Sequence, residues 1–108
     1  MSRVEWHLDV VQDGNAPPLL VVIDQCSMMV EREEIAYFTR IDVLDALRTI
    51  MMRTVRRPDA IVTDNARQWF GVADAIGAGH RYYLPGQPTE LERIARGLIS
   101  NSQNGGAA

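Results

Sequence analysis

The chain has 108 residues, 46% of them hydrophobic and 23% charged, an ordinary globular balance that excludes a disordered chain and leaves room for one compact domain. A single cysteine, Cys26, excludes an internal disulfide and a multi-cysteine zinc site, and no run approaches the roughly 18 apolar residues of a membrane span. The 11 basic residues are all arginine and are outnumbered by 14 acids, so a nucleic-acid role cannot rest on overall charge and would need a local arrangement.

Residues 4–11 (VEWHLDVV) read as a first strand, and residues 12–18 (QDGNAPP) as a turn. The run Leu19–Ile23 has the length and apolarity of a buried central strand. Residues 28–39 (MMVEREEIAYFT) predict a third strand with a charged middle. Short connections between these three suggest an antiparallel meander. The period then changes: Ile41, Leu44, Leu47 and Met51, with Ile50 and Val55 alongside, predict an amphipathic helix over 42–54, stopped by Pro58. Arg53, Arg56 and Arg57 at its end suit the helix dipole and read as an exposed helix end more economically than as phosphate contacts.

Ala60–Thr63 is a short fourth strand ending at Asp64-Asn65. Residues 66–76 predict a second helix weakened by Gly71, with Trp69 and Phe70 as its core anchors. Residues 80–84 (HRYYL) form a fifth strand, Pro85–Pro88 a rigid loop, and residues 89–99 a last helix. Leu91, Ile94, Ala95, Leu98 and Ile99 share one face of that helix. The order is β-β-β-α-β-α-β-α, an α/β chain with a five-stranded mixed sheet flanked by helices, which is the order of the ribonuclease H-like fold. The domain is expected over 1–100, with 101–108 as a frayed polar tail. The N-terminus has no signal-peptide core, so a soluble, cytoplasmic protein with no membrane association is expected.

Asp9 lies inside the first strand, where aspartate is depleted and costly to bury unpaired. In a sheet of this order the first and fourth strands are neighbours, so Asp9 and Asp64 would meet near one edge. Close carboxylates repel unless a cation intervenes, and magnesium takes hard oxygen ligands of this kind. A third acid would complete a two-metal site for in-line displacement at phosphorus. Glu90 and Glu92 both lie at the margin of the last helix's apolar face, and helical geometry does not separate them. Each acid also has a plainer role: Asp64-Asn65 as a cap and turn pair, Glu92 in a capping box with Thr89, Asp24 as a strand-end turn former. His7 and His80 read as surface or packing residues.

Four segments in chain order resemble one family. Trp6-His7-Leu8-Asp9 resembles the strand bearing the first acid of the integrase core of retroviral integrases and DDE transposases. Leu20 to Ser27 (LVVIDQCS) is similar to that family's second strand. Pro58 to Asn65 (PDAIVTDN) is similar to its proline, strand and Thr-Asp-Asn-Gly motif. Pro85-Gly86-Gln87-Pro88, followed by Glu92-Arg93, is similar to the proline loop before its last acid. The resemblance implies Asp9, Asp64 and Glu92 as catalytic and metal-binding acids, Mg2+ or Mn2+ as cofactor, and DNA as substrate. It further implies strand cleavage and joining by phosphoryl transfer for a mobile element, and pairing as a homodimer.

The chain departs from the pattern at Ala66, where glycine is expected, and at Met28, where arginine is expected. The interval from Asp64 to Glu92 is also shorter than usual by about eight residues, roughly two helical turns. These departures support an alternative, a catalytically degenerate integrase-like domain acting as a dimerisation or binding module. A third reading is an unrelated α/β domain whose acids are caps and turn residues.

Overall fold

The computed structural model describes residues 3–83. The last helix, its Glu90 and Glu92, the proline loop and the tail lie outside the described residues. Five strands form one sheet: β1 (Glu5–Val11), β2 (Leu19–Asp24), β3 (Val30–Glu34), β4 (Ala60–Thr63) and β5 (Gly79–Tyr82). Their order is β3-β2-β1-β4-β5. The first three strands are antiparallel neighbours, as the meander predicts, while β4 and β5 join in parallel. β1 is therefore the central strand, antiparallel to β2 on one side and parallel to β4 on the other.

One face of the sheet carries the core. Trp6 and Leu8 from β1, Leu20 and Val22 from β2 and Ile61 from β4 pack with helix α1 (Arg40–Thr54) and helix α2 (Val72–Ile76). Alternation sends the intervening residues to the other face, where Val21 and Ile23 are buried with Val11, Leu19 and Tyr83 against them. No helix among the described residues is long and apolar enough to cross a membrane.

Three elements differ from the sequence reading. The third strand is shorter than residues 28–39, because the chain turns sharply before it and bends after it. Met28 adopts a left-handed φ of 60° and donates its amide to the Asp24 carbonyl at 2.7 Å. After the strand, Thr39 caps α1: its Oγ1 accepts from the Asp42 amide, and Asp42 Oδ2 accepts from the Tyr37 amide. Helix α1 begins at Arg40 and is rotated from the expected stripe. Val43, Ala46, Leu47 and Ile50 are buried, while Ile41 is 71% exposed. Using Ala46 as a contact residue lets the helix lie close to the sheet. The second helix is broken in two, a 3-10 turn at Arg67–Trp69 and then α2. Gly71 separates them with φ 83°, a backbone conformation that side chains disfavour. Trp69 is the core anchor expected, but Phe70 is 48% exposed.

The arginines at the end of α1 form the exposed end expected, with Arg53 and Arg57 exposed and Arg56 half-buried, and each also makes an internal contact. Arg53 donates to Glu33 at 2.8 Å and Glu31 at 2.9 Å on the edge strand β3. Arg56 pairs with Asp24 at 2.9 Å, and Arg57 donates to the Ile76 carbonyl at 2.9 Å. Between them Val55 takes a left-handed φ of 54° although its side chain is β-branched and 89% exposed. The turn lets the Val55 and Arg56 amides both reach the Met51 carbonyl and releases Arg56 toward the sheet.

Candidate active site

Parallel pairing of β1 and β4 puts their carboxyl ends at the same edge of the sheet, the edge at which open α/β sheets place ligands. The register runs Glu5 with Ala60, Trp6 with Ile61 and His7 with Val62. Two residues further along each chain come Asp9, within β1, and Asp64, one residue past β4. Neighbouring strands lie about 4.8 Å apart; alternation puts Asp9 on the face opposite α1, while Asp64, past the end of β4, turns its carboxylate to Trp69 at the margin of the α1-side core.

The two carboxylates are held differently. Asp9 is half-buried, and its Oδ1 accepts from the Val10 amide at 2.9 Å. Asp64 is exposed, and its Oδ1 takes two donors, the Ala66 amide at 3.0 Å and the Trp69 indole Nε1 at 3.0 Å. The Ala66 contact is the turn-forming role that aspartate before a helix often plays, here at the entry to the 3-10 turn. Its Oδ2 makes no hydrogen bond among the described residues. The turn role and an outward-facing oxygen thus coexist in one side chain.

On the same face of β1, Glu5 and His7 precede Asp9. His7 Nε2 lies 3.1 Å from Glu5 Oε1, its ring stands 5.6 Å from that of Tyr83, and Arg81 donates to Glu5 at 2.6 Å. His7 is therefore a packing and pairing residue, as its sequence context suggests. On the helix side, His80 Nε2 sits 2.8 Å from Thr63 Oγ1, and that hydroxyl also reaches the Asp64 carbonyl at 2.7 Å. Burial holds the His80 pKa below its ordinary value against the opposing charge of Asp74.

Asp24 has a larger role than the sequence suggests. Its side chain is fully buried, and it accepts from Trp6 Nε1 at 3.1 Å, from the Cys26 amide at 2.9 Å and from the Ser27 amide at 3.1 Å, besides pairing with Arg56. Desolvation raises its pKa, but the Ser27, Trp6 and Cys26 hydrogen bonds and the Arg56 charge together outweigh it and leave the pKa lowered. Four donors converge on this carboxylate, which makes it an anchor for the β2–β3 turn.

Two carboxylates at one sheet edge match the hard-oxygen preference of magnesium, which needs only one or two such ligands beside water and phosphate oxygens. Among the described residues no group of three His, Cys, Asp or Glu could hold a metal ion.

Solved structures share this architecture. One is a chain of the cryoEM structure of the simian T-cell lymphotropic virus intasome in complex with PP2A regulatory subunit B56 gamma. It has a TM-score of 0.72 and 19% identity over 90% of this chain and 37% of that one. Another is the crystal structure of the catalytic core domain of BIV integrase, with a TM-score of 0.65 and 16% identity over 95% of this chain and 66% of that one. The fold is that of an integrase catalytic core. The ribonuclease H-like sheet order expected from the sequence agrees with this integrase-core fold. The chain spans about a third and about two thirds of the lengths of these two integrase chains. No protein-family model matches the sequence, and no curated protein does.

Proposed function

We propose that this chain is the catalytic core of a DNA integrase or transposase, carrying out divalent-metal-dependent cleavage and joining of DNA strands for a mobile element. The observation that carries this reading is the parallel pairing of β1, which bears Asp9, with β4, which leads to Asp64, in a sheet of the integrase-core fold. Asp9 and Asp64, with Glu92 as the third acid, would hold magnesium or manganese. The bound cation supplies the charge that activates water or a 3′-hydroxyl and stabilises the leaving oxygen. Asp9 accepts from the Val10 amide, and Asp64 from the Ala66 amide and the Trp69 indole. A homodimer belongs to the same reading, and Ile41, Met52 and Val55 leave apolar surface along α1 that a second copy would cover.

The test is incubation with Mn2+ and a short end-labelled DNA duplex. The reading expects shortened and joined strands from the native chain and none from Asp9→Asn or Asp64→Asn. Equal products from all three would overturn it.

A second reading is a catalytically silent relative that binds a partner or dimerises. It is favoured by the net charge of −3 and by the engagement of Arg53, Arg56, Arg57 and Arg81 in internal contacts, both of which weigh against a DNA backbone. A stable dimer by sedimentation, with no strand transfer and no cation binding, would select it.

A further inference from the structure

The sequence singled out Trp69 as a core anchor, and its ring does pack there. It is 1% exposed and meets the edge of Phe38 at 5.4 Å between ring centres. Packing alone would be served by any large aromatic residue. The indole nitrogen is oriented for something more specific: Nε1 lies 3.0 Å from Oδ1 of Asp64, in a side chain whose other end is locked in the core. The Ala66 amide reaches that same oxygen, also at 3.0 Å.

Two N–H donors converging on one carboxylate oxygen have two effects. They stop rotation about the Cβ–Cγ bond, because turning the carboxylate would strand a buried indole N–H without an acceptor. They also draw electron density toward Oδ1 and occupy its lone pairs, so a cation arriving at Asp64 meets Oδ2, on the exposed side. Ligating carboxylates held from behind by hydrogen bonds bind their metal more tightly than loose ones, commonly by 10–100-fold.

We infer that Trp69 is a positioning residue for the cation site, fixing Asp64 so that it binds a divalent ion through Oδ2 alone. Trp69 touches neither cation nor DNA; it acts through Asp64. The inference rests on the proposed role of Asp64 as a ligand. It also makes the indole N–H a reporter of that site, since a cation on Oδ2 withdraws charge from the oxygen that Nε1 faces. The other tryptophan supplies an internal control: Trp6 Nε1 faces Asp24, a buried carboxylate paired with Arg56.

The experiment is a Mg2+ titration of the intact chain followed by nuclear magnetic resonance, with both indole N–H signals assigned through their ring connectivities. The Trp69 signal moves with saturation and the Trp6 signal stays. Trp69→Phe, which keeps the ring but loses the donor, weakens Mg2+ binding by about tenfold, with folding checked by its thermal melt. If backbone amides around Asp9 and Asp64 respond to Mg2+ while the Trp69 indole does not, the inference is overturned. It is overturned too if a folded Trp69→Phe chain binds Mg2+ as tightly as the native one. If no signal responds to Mg2+, the reading of Asp64 as a ligand fails first, and the role of Trp69 with it. The wild-type titration needs no substitution, so an unfolded variant leaves the inference testable.

Discussion

Trp6 Nε1 donates to Asp24 Oδ2 at 3.1 Å, and both side chains are 0% exposed. That bond ties the central strand to the end of its neighbour and fixes where the β2–β3 turn starts. Removing the carboxylate by Asp24→Ala would leave the indole and the Cys26 and Ser27 amides without their acceptor and Arg56 without its partner. The expected loss is about 3 kcal/mol or more, read as a lower urea midpoint. Trp6→Phe should cost less by removing one donor while keeping most of the packing.

The lowered pKa of Asp24 sets a pH dependence. The unfolded chain binds its proton near the ordinary carboxylate value, about 4, and the folded chain only below it. The stabilisation is thus fully present above about pH 4 and lost as pH falls through the folded pKa. Asp24→Asn should flatten the acid limb of a stability profile, measured as the wild-type-minus-variant difference.

His80 works in the opposite range. Its pKa is lowered by burial, so below about pH 6.5 the unfolded chain takes up a proton that the folded chain resists. Stability therefore rises with pH through that window and levels off above it. His80→Gln should remove this slope, measured by urea unfolding between pH 5 and 8 at fixed salt, both conditions chosen around that about 6.5 midpoint.

Val55 holds a left-handed backbone with a β-branched side chain in solvent. Relieving that conformation with Val55→Gly should stabilise the chain by about 1 kcal/mol, seen as a higher melting temperature. A fall in melting temperature would mean that Val55 makes a contact that outweighs its strain.

On the proposed function, Mg2+ or Mn2+ at a hundredfold excess over its dissociation constant should add about 2.7 kcal/mol of stability. Asp9→Asn or Asp64→Asn should abolish the shift in a thermal melt. Retention of the shift in both variants would place the cation elsewhere.

Much of the fold was legible because local signals agreed with it. Ala60–Thr63 is bracketed by Pro58-Asp59 and Asp64-Asn65 and emerges with the predicted bounds. Leu19–Ile23 is too apolar for a sheet edge, and β2 lies inside the sheet between β3 and β1. The rotation of α1 was hidden because Ile41 has the right period but sits in the first turn, beyond the reach of the sheet, whereas Ala46 looks unremarkable until a partner lies against it. Asp24 was legible only as a turn former. Its burial depends on Trp6, 18 positions earlier, and on an arginine released by the left-handed turn at Val55. For the candidate site, the pairing of β1 with β4 followed from strand order alone. The indole behind Asp64 did not, because it depends on the 3-10 turn at Arg67–Trp69, which in the sequence reads as the start of a regular helix.

The charged strand β3 has a consequence for how copies of this chain can meet. It pairs only with β2 among the described strands and leaves its outer edge carrying Glu31, Arg32, Glu33 and Glu34. Two such edges laid together would crowd carboxylates from both copies along one seam, with Arg53 already committed to its own strand. Continuous sheet growth from this side is thereby blocked, and the ribbon ends where the chain ends it.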